Sequence, residues 1–405
     1  MQAMGFDRIL GGVCAPDGFL ASGVNCGIKD EGRLDLAIVY SEAAASAAGV
    51  FTTNQLKAAP VMVSKDRVVS GSAQAVVVNS GNANAMTGDR GLKDALLMIA
   101  AAENTLGLEQ GQVLVASTGP IGEYLPMEQV MKGIERAASE LSPGGNTDAA
   151  KAILTTDTYP KELAVEMEMA GKVVRLGAMA KGSGMIGPHM ATMIVVVTTD
   201  AGLEPDIMQG WLEKAVEWSF NRISVDGDQS TNDTVLMLAN GAAFPEGYAM
   251  GKGESELFFS ALCWITANLS MALVKDGEGA SKLLRVVVNG ARDDSEAVRI
   301  ARSVANSNLV KCAIYGGLPN WGRIAAAAGS AGVPLDPDKI DIFLGEHMVA
   351  AGGVPAPNDI SELVNALKRE EVEITLELGL GEGSAFFLTS DLTPEYVRLN
   401  ASEKS

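Results

Sequence analysis

Short runs of β-branched and apolar residues alternate along this chain with stretches whose apolar positions recur at helical spacing. Leu34–Tyr40 (LDLAIVY), Gln74–Val78 (QAVVV) and Val113–Ala116 read as strands, and Met193–Val197 as a strand of buried type. Leu92–Thr105 reads as an apolar-rich helix, and Pro126 suits the first residue of a helix through Leu141. Leu163–Met169 alternates, turns at Ala170-Gly171 and returns as Lys172–Leu176, which predicts a hairpin. A helix is expected from Pro205 to Phe220. Downstream, Glu256–Leu273 and Ser295–Ala305 read as helices, and Leu283–Val288, Ile340–Leu344, Val372–Leu378 and Ala385–Leu388 as strands. Because several strands meet at hairpins rather than helical crossovers, the expected fold class is mixed α/β layers (α+β), with sheets packed against helices.

Composition narrows the function classes. The 405 residues allow two to three domains or one large intertwined one, and no Pro/Ser-rich linker or repeat divides them. Lys+Arg 31 against Asp+Glu 50 leaves a net charge of −19, which repels phosphate backbones and anionic lipid. No nucleic-acid or membrane partner is therefore expected. The two histidines, His189 and His347, do not furnish a His-rich metal site, and no pair of the four cysteines has C-x-x-C spacing. No metal site is expected. Cys14 and Cys26 are candidates for pairing, but few cysteines in a long chain suit a reducing compartment. With no basic and then apolar leader, and no 18 uninterrupted apolar residues, a cytoplasmic location is expected.

The most informative stretch is Lys181–Thr199, KGSGMIGPHMATMIVVVTT. Gly182, Gly184 and Gly187 spell G-x-G-x-x-G, but a dinucleotide fingerprint must open a helix, and here Pro188 and a β-branched run follow. A different chemistry fits better. Threonine's hydroxyl is a weak nucleophile until a base takes its proton, and a free α-amine on the same residue, with a pKa of about 7.7–8.0, serves as one. Cleavage between Ala191 and Thr192 would create that amine at the end of a rigid strand. Taken from spacing alone, Thr192 is more often a plain core residue.

The run from Lys181 to Met193 resembles the self-cleavage and nucleophile motif of the ornithine acetyltransferase family, the glutamate N-acetyltransferases of arginine biosynthesis. Further family-like stretches are GVFTTNQLK (49–57), VNSGNAN (78–84), STGPIG (117–122), TTDTYPK (155–161), SVDGDQSTNDT (224–234), KDGEGASK (275–282), LVKCAIYGGLPNWGRI (309–324) and SDLTPEYVRLN (390–400). The resemblance spans nearly the whole chain. It implies an ornithine-acetyltransferase-like fold, an autoprocessing bond at Ala191–Thr192, and two fragments, 1–191 and 192–405, that stay together as a heterotetramer of two alpha and two beta chains. It implies Thr192 as nucleophile, Thr118 and Gly119 as the oxyanion pair, and Thr158, Lys181, Thr192, Glu278, Asn400 and Ser405 as substrate contacts. The types suit an amino-acid substrate: Lys181 neutralises a carboxylate, and Glu278 holds an ammonium group. Read without the resemblance, Lys181 and Glu278 are solvated surface charges.

The implied reaction moves the acetyl group of N2-acetyl-L-ornithine to L-glutamate through an acetyl-Thr192 ester. No resident cofactor is implied. Acetyl-CoA as a second donor is left open, and a hydrolase on the same threonine logic is the alternative. Three places depart from the family pattern: His189 in place of Asn, Leu318 in place of Asp, and a C-terminus lacking the Tyr before its last hydroxyl residue. Asp226–Asp233 looks like a calcium loop, yet Thr231 and Met237 stand where Gly and Glu are needed, so a polar turn is expected. Cys312, flanked by LVK and AIYG, reads as a quiet thiol on a packed strand.

Overall fold

The computed structural model describes residues 5–30, 32–187, 193–244 and 248–402. Ala191, Thr192, His189 and Ser405 lie outside the described residues, so the cleavage bond, the nucleophile and the last substrate contact have no structural account below.

Two compact units emerge, and neither is continuous in sequence. The first gathers the described residues of 1–182, 193–221 and 229–273. Its first eight strands are β1 (Asp7–Ile9), β2 (Phe19–Val24), β3 (Leu36–Phe51), β4 (Ser72–Ser80), β5 (Val113–Thr118), β6 (Lys161–Met169), β7 (Lys172–Lys181) and β8 (Ile194–Thr199). After β9 (Ile223–Ser224), which belongs to the second unit, β10 (Thr234–Ala239) completes one sheet in the order β1-β6-β7-β8-β10-β3-β4-β5, with β2 also pairing β3. The β4–β5 and β8–β10 pairs are parallel and the others antiparallel, which is the mixed α+β arrangement expected.

The apolar runs explain the layering. In β4 and β5, Val77 and Val115 face one core with Met98 and Ile99 of the helix Gly88–Leu106 and Val130 and Ile134 of the helix Met127–Ser139. Val76, Val78 and Leu114 face a second core with Ala149 and Ala150 of the short helix 146–152. A strand apolar on both sides is what a sheet covered on both faces requires. The helix Lys252–Lys275 is long and apolar enough to cross a membrane by length and composition. Its stripe of Phe258, Leu262, Ile265, Leu269 and Leu273 is instead buried in this unit.

The second unit holds the described residues of 183–188, 222–228 and 274–405. Its sheet runs 354–355, 347–351, 341–344, 371–377, 283–291, 383–390 and then β9. The helix Asp294–Ala305 packs Ala297, Ile300, Ala301 and Val304 into its core. That helix starts where it does because Asp293 caps it, accepting from the Glu296 N–H at 2.9 Å. Such a cap is worth about 1 kcal/mol.

One element overturns the sequence reading. Asn308–Tyr315, expected as a packed strand around Cys312, is a helix capped by Ser307, and Cys312 is exposed on it. Val310, Ala313 and Ile314 are buried at helical spacing, a pattern hidden inside a dense apolar run. All four cysteines are free, so Cys14 and Cys26 are not paired.

Candidate active site

The first unit brings Thr118, Gly119 and Lys181 together. Thr118 ends β5, level with Ser80 at the end of the parallel strand β4. Gly119 follows with φ +141°, and a Cβ there would stand 2.4 Å from the Asn82 nitrogen, so only glycine fits this turn. The turn is tied down by backbone and side-chain groups of the 78–84 motif. Asn82 N–H donates to the Thr118 carbonyl at 3.0 Å, Asn79 Nδ2 donates to the Asn82 carbonyl at 2.9 Å, and Ser117 Oγ donates to Asn79 Oδ1 at 2.5 Å. Asn232 Nδ2 adds bonds to the carbonyls of Ala83 (2.6 Å) and Ser117 (2.8 Å).

Lys181 is the last residue of β7 and pairs with Ile194 of β8. Far from being a solvated surface charge, it is only 1% exposed. Its Nζ donates to Thr155 Oγ1 at 2.8 Å and to Thr118 Oγ1 at 3.4 Å, and lies 3.9 Å from Asp157 Oδ2. Asp157 also accepts from Lys161 Nζ at 2.7 Å and from the Gly182 N–H at 2.7 Å. Burial alone would push the Asp157 carboxyl up, but the charges of Lys181 and Lys161 and the Gly182 N–H outweigh it and hold it below the ordinary range. Thr158, next along the chain, is exposed.

The chain leading into β8 is pinned at Met193, the residue before that strand. Met193 N–H donates to Asp233 Oδ1 at 3.1 Å, and the Met193 carbonyl accepts from Thr234 N–H at 3.0 Å. Asp233 is fully buried, and that burial raises its carboxyl well above the ordinary value.

The second unit holds Glu278 and Asn400, the other two expected substrate contacts among the described residues. Glu278 accepts from Asn400 Nδ2 at 2.8 Å, and its own N–H donates to the Ser183 carbonyl at 2.8 Å. A Cβ on Gly184 would sit 2.4 Å from the Glu278 carboxyl carbon, so the carboxylate rests directly on the glycine loop. Asn400 closes the helix Pro394–Asn400, whose cap Thr393 donates to the Gly279 carbonyl at 2.6 Å. Asp226 accepts from Met185 N–H at 2.7 Å and is pushed up to about 6, first by burial.

Sequence reasoning missed Asp157, Lys161, Thr155 and Asp233 as site residues. The i,i+4 spacing of Asp157 and Lys161 inside TTDTYPK was the one available signal.

The ArgJ family model matches residues 20–405. The chain belongs to the ArgJ family. It is 46% identical over 399 residues to the arginine biosynthesis bifunctional protein ArgJ of Symbiobacterium thermophilum, covering 98% of this chain and 99% of that protein. The solved arginine biosynthesis bifunctional protein ArgJ of Bacillus halodurans is similar at 39% identity and TM-score 0.49, over 51% of this chain and 97% of that one. The ornithine acetyltransferase of Mycobacterium tuberculosis, solved with ornithine, is similar at 40% identity and TM-score 0.43, over 45% of this chain and 98% of that one. ArgJ membership bears out the resemblance in the nine motifs and the enzyme class expected with it, an acetyltransferase of arginine biosynthesis.

Proposed function

We propose that this chain cleaves itself between Ala191 and Thr192 and then moves acetyl groups from N2-acetyl-L-ornithine to L-glutamate, with acetyl-CoA as a second donor. The observation that carries this reading is the joining, within one unit, of the Thr118-Gly119 turn, Lys181, and the strand β8 that starts at Ile194, two residues after Thr192. Cleavage there leaves the fragments 1–191 and 192–405 interleaved, because β8 and β10 lie between β7 and β3 in one sheet. The processed units assemble as two alpha and two beta chains in the cytoplasm.

In the proposed cycle, Thr192 Oγ attacks the acetyl carbonyl of acetylornithine while the Thr192 α-amine takes the hydroxyl proton. The Thr118 hydroxyl and Gly119 N–H hold the tetrahedral oxyanion, each donor being worth about 3 kcal/mol. Collapse breaks the acetyl C–N bond, the proton passes to the departing nitrogen, and ornithine leaves an acetyl-Thr192 ester. The glutamate amine then attacks the ester, regenerating Thr192. Lys181 faces the substrate carboxylate, Glu278 the ammonium group, and Thr158, Asn400 and Ser405 supply neutral contacts.

The test is ornithine release from acetylornithine with and without glutamate. Release that needs glutamate, and yields N-acetylglutamate in equal amount, supports transfer. Equal release without glutamate supports an N-terminal-threonine hydrolase instead.

A further inference from the structure

We infer that Lys181 is a positioning residue of the oxyanion hole, acting on the acetyl transfer through Thr118 and not on substrate binding alone. The inference rests on the proposed role of Thr118 and extends it one residue into the protein.

A lysine Nζ has hydrogens only to give, so at 3.4 Å the Thr118 oxygen is the acceptor. A threonine hydroxyl has a single proton. With an oxygen lone pair committed to Lys181, the O–H points away from the lysine. Among the described residues nothing accepts that proton, which leaves it for the oxyanion of a substrate. A hydroxyl whose oxygen accepts from a cation is a stronger donor, and the effect is larger where water does not screen it. Both residues meet that condition, with Lys181 at 1% and Thr118 at 2% exposure.

The surroundings hold the lysine in this role. Thr155 Oγ1, at 2.8 Å, fixes the Nζ from a second direction. The Asp157 carboxylate is shared unequally: it lies 2.7 Å from Lys161 and 3.9 Å from Lys181. These three side chains sum to one positive charge, and the lysine farther from the carboxylate is the one beside Thr118. A residue built only to meet a mobile carboxylate needs no such bond to a catalytic hydroxyl.

A donor without carboxylate or ammonium separates the two roles. With p-nitrophenyl acetate, the first-turnover release of nitrophenolate reports acetylation of Thr192 alone, once normalised to the cleaved fraction by mass spectrometry. Lys181→Met is expected to slow that step about tenfold or more, and Thr118→Val about 100-fold. The double variant should be no slower than Thr118→Val by more than about twofold, because Lys181 then has no hydroxyl to act through. Lys181→Arg, which keeps the charge, should recover most of the rate. If Lys181→Met does not mature, Lys181→Arg against Lys181→Gln carries the same comparison. A wild-type rate in Lys181→Met or Lys181→Gln, or losses that multiply in full in the double variant, overturns the inference. Absence of any burst from cleaved wild-type protein instead sinks the nucleophile reading, so the two failures are told apart.

Discussion

The cluster around Lys181 and the pair Glu278–Asn400 are both proposed to meet the charges of an amino-acid substrate, yet they are built on opposite terms. Lys181, Lys161 and Asp157 are almost wholly withdrawn from water, with side-chain exposures of 2%, 0% and 0%. Each polar group there is held by named partners before any substrate arrives. Glu278 is half-buried, and its bond to Asn400 forms at the surface, on the last residue of a short helix. A buried charge beside a reacting group acts at full strength and is expensive to disturb. An exposed pair is screened and adjusts. The first cluster should therefore govern turnover and stability, and the second should tune binding.

The largest effect is expected from removal of Thr192, the proposed nucleophile. Thr192→Ala should leave one full-length chain on a denaturing gel and lower transfer by about 10⁴-fold or more. Thr118→Val should come next, lowering kcat by about 10²- to 10³-fold with little change in KM.

Stability tells the same story. Asp157→Asn leaves Lys161 and Lys181 without their shared counter-charge in a dry site. Chemical denaturation should show a loss of about 3 kcal/mol or more. A loss below about 1 kcal/mol would mean that water reaches the cluster. Asn400→Ala removes two exposed bonds, from Nδ2 to the Glu278 carboxylate and to the Tyr396 carbonyl, together worth about 1 kcal/mol. KM for glutamate should rise no more than about fivefold, with kcat nearly unchanged.

The smallest effect concerns pH. The folded protein holds the Asp226 proton to about pH 6, well above its ordinary 3.8, first because of burial and despite the N–H groups of Asp228 and Met185. The folded state thus binds this proton more tightly than the unfolded one. The resulting stability is fully present below about pH 4 and is lost as pH rises through about 6. Asp226→Asn should remove that component, seen as a flatter denaturation midpoint between pH 4 and 6. An unchanged slope would place the titration elsewhere.

Strands buried on both faces were legible, because Val76–Val78 and Ile194–Val197 have no polar position to confuse the reading. Other elements were not. β3 runs on to Phe51 through SEAAASAAG, a stretch with little strand preference of its own. Pairing with β10 and β4 imposes the extended form, so tertiary context decides. In the candidate site, motif resemblance named Thr118, Gly119, Lys181 and Glu278. The burial of Lys181 was hidden, since Thr118 and Thr155 lie 63 and 26 residues away. Asp233 was hidden for the same reason: a carboxylate in a polar run gives no sign that it will end fully enclosed against the first amide after Thr192.

The proposed chemistry requires that one peptide bond break so that Thr192 gains its own amine. Intact-mass analysis of catalytically active, untagged protein shows whether that bond is broken. Two polypeptides and no full-length species are expected, the second starting Thr-Met-Ile-Val. Full activity from a single unbroken chain of 405 residues would contradict that requirement.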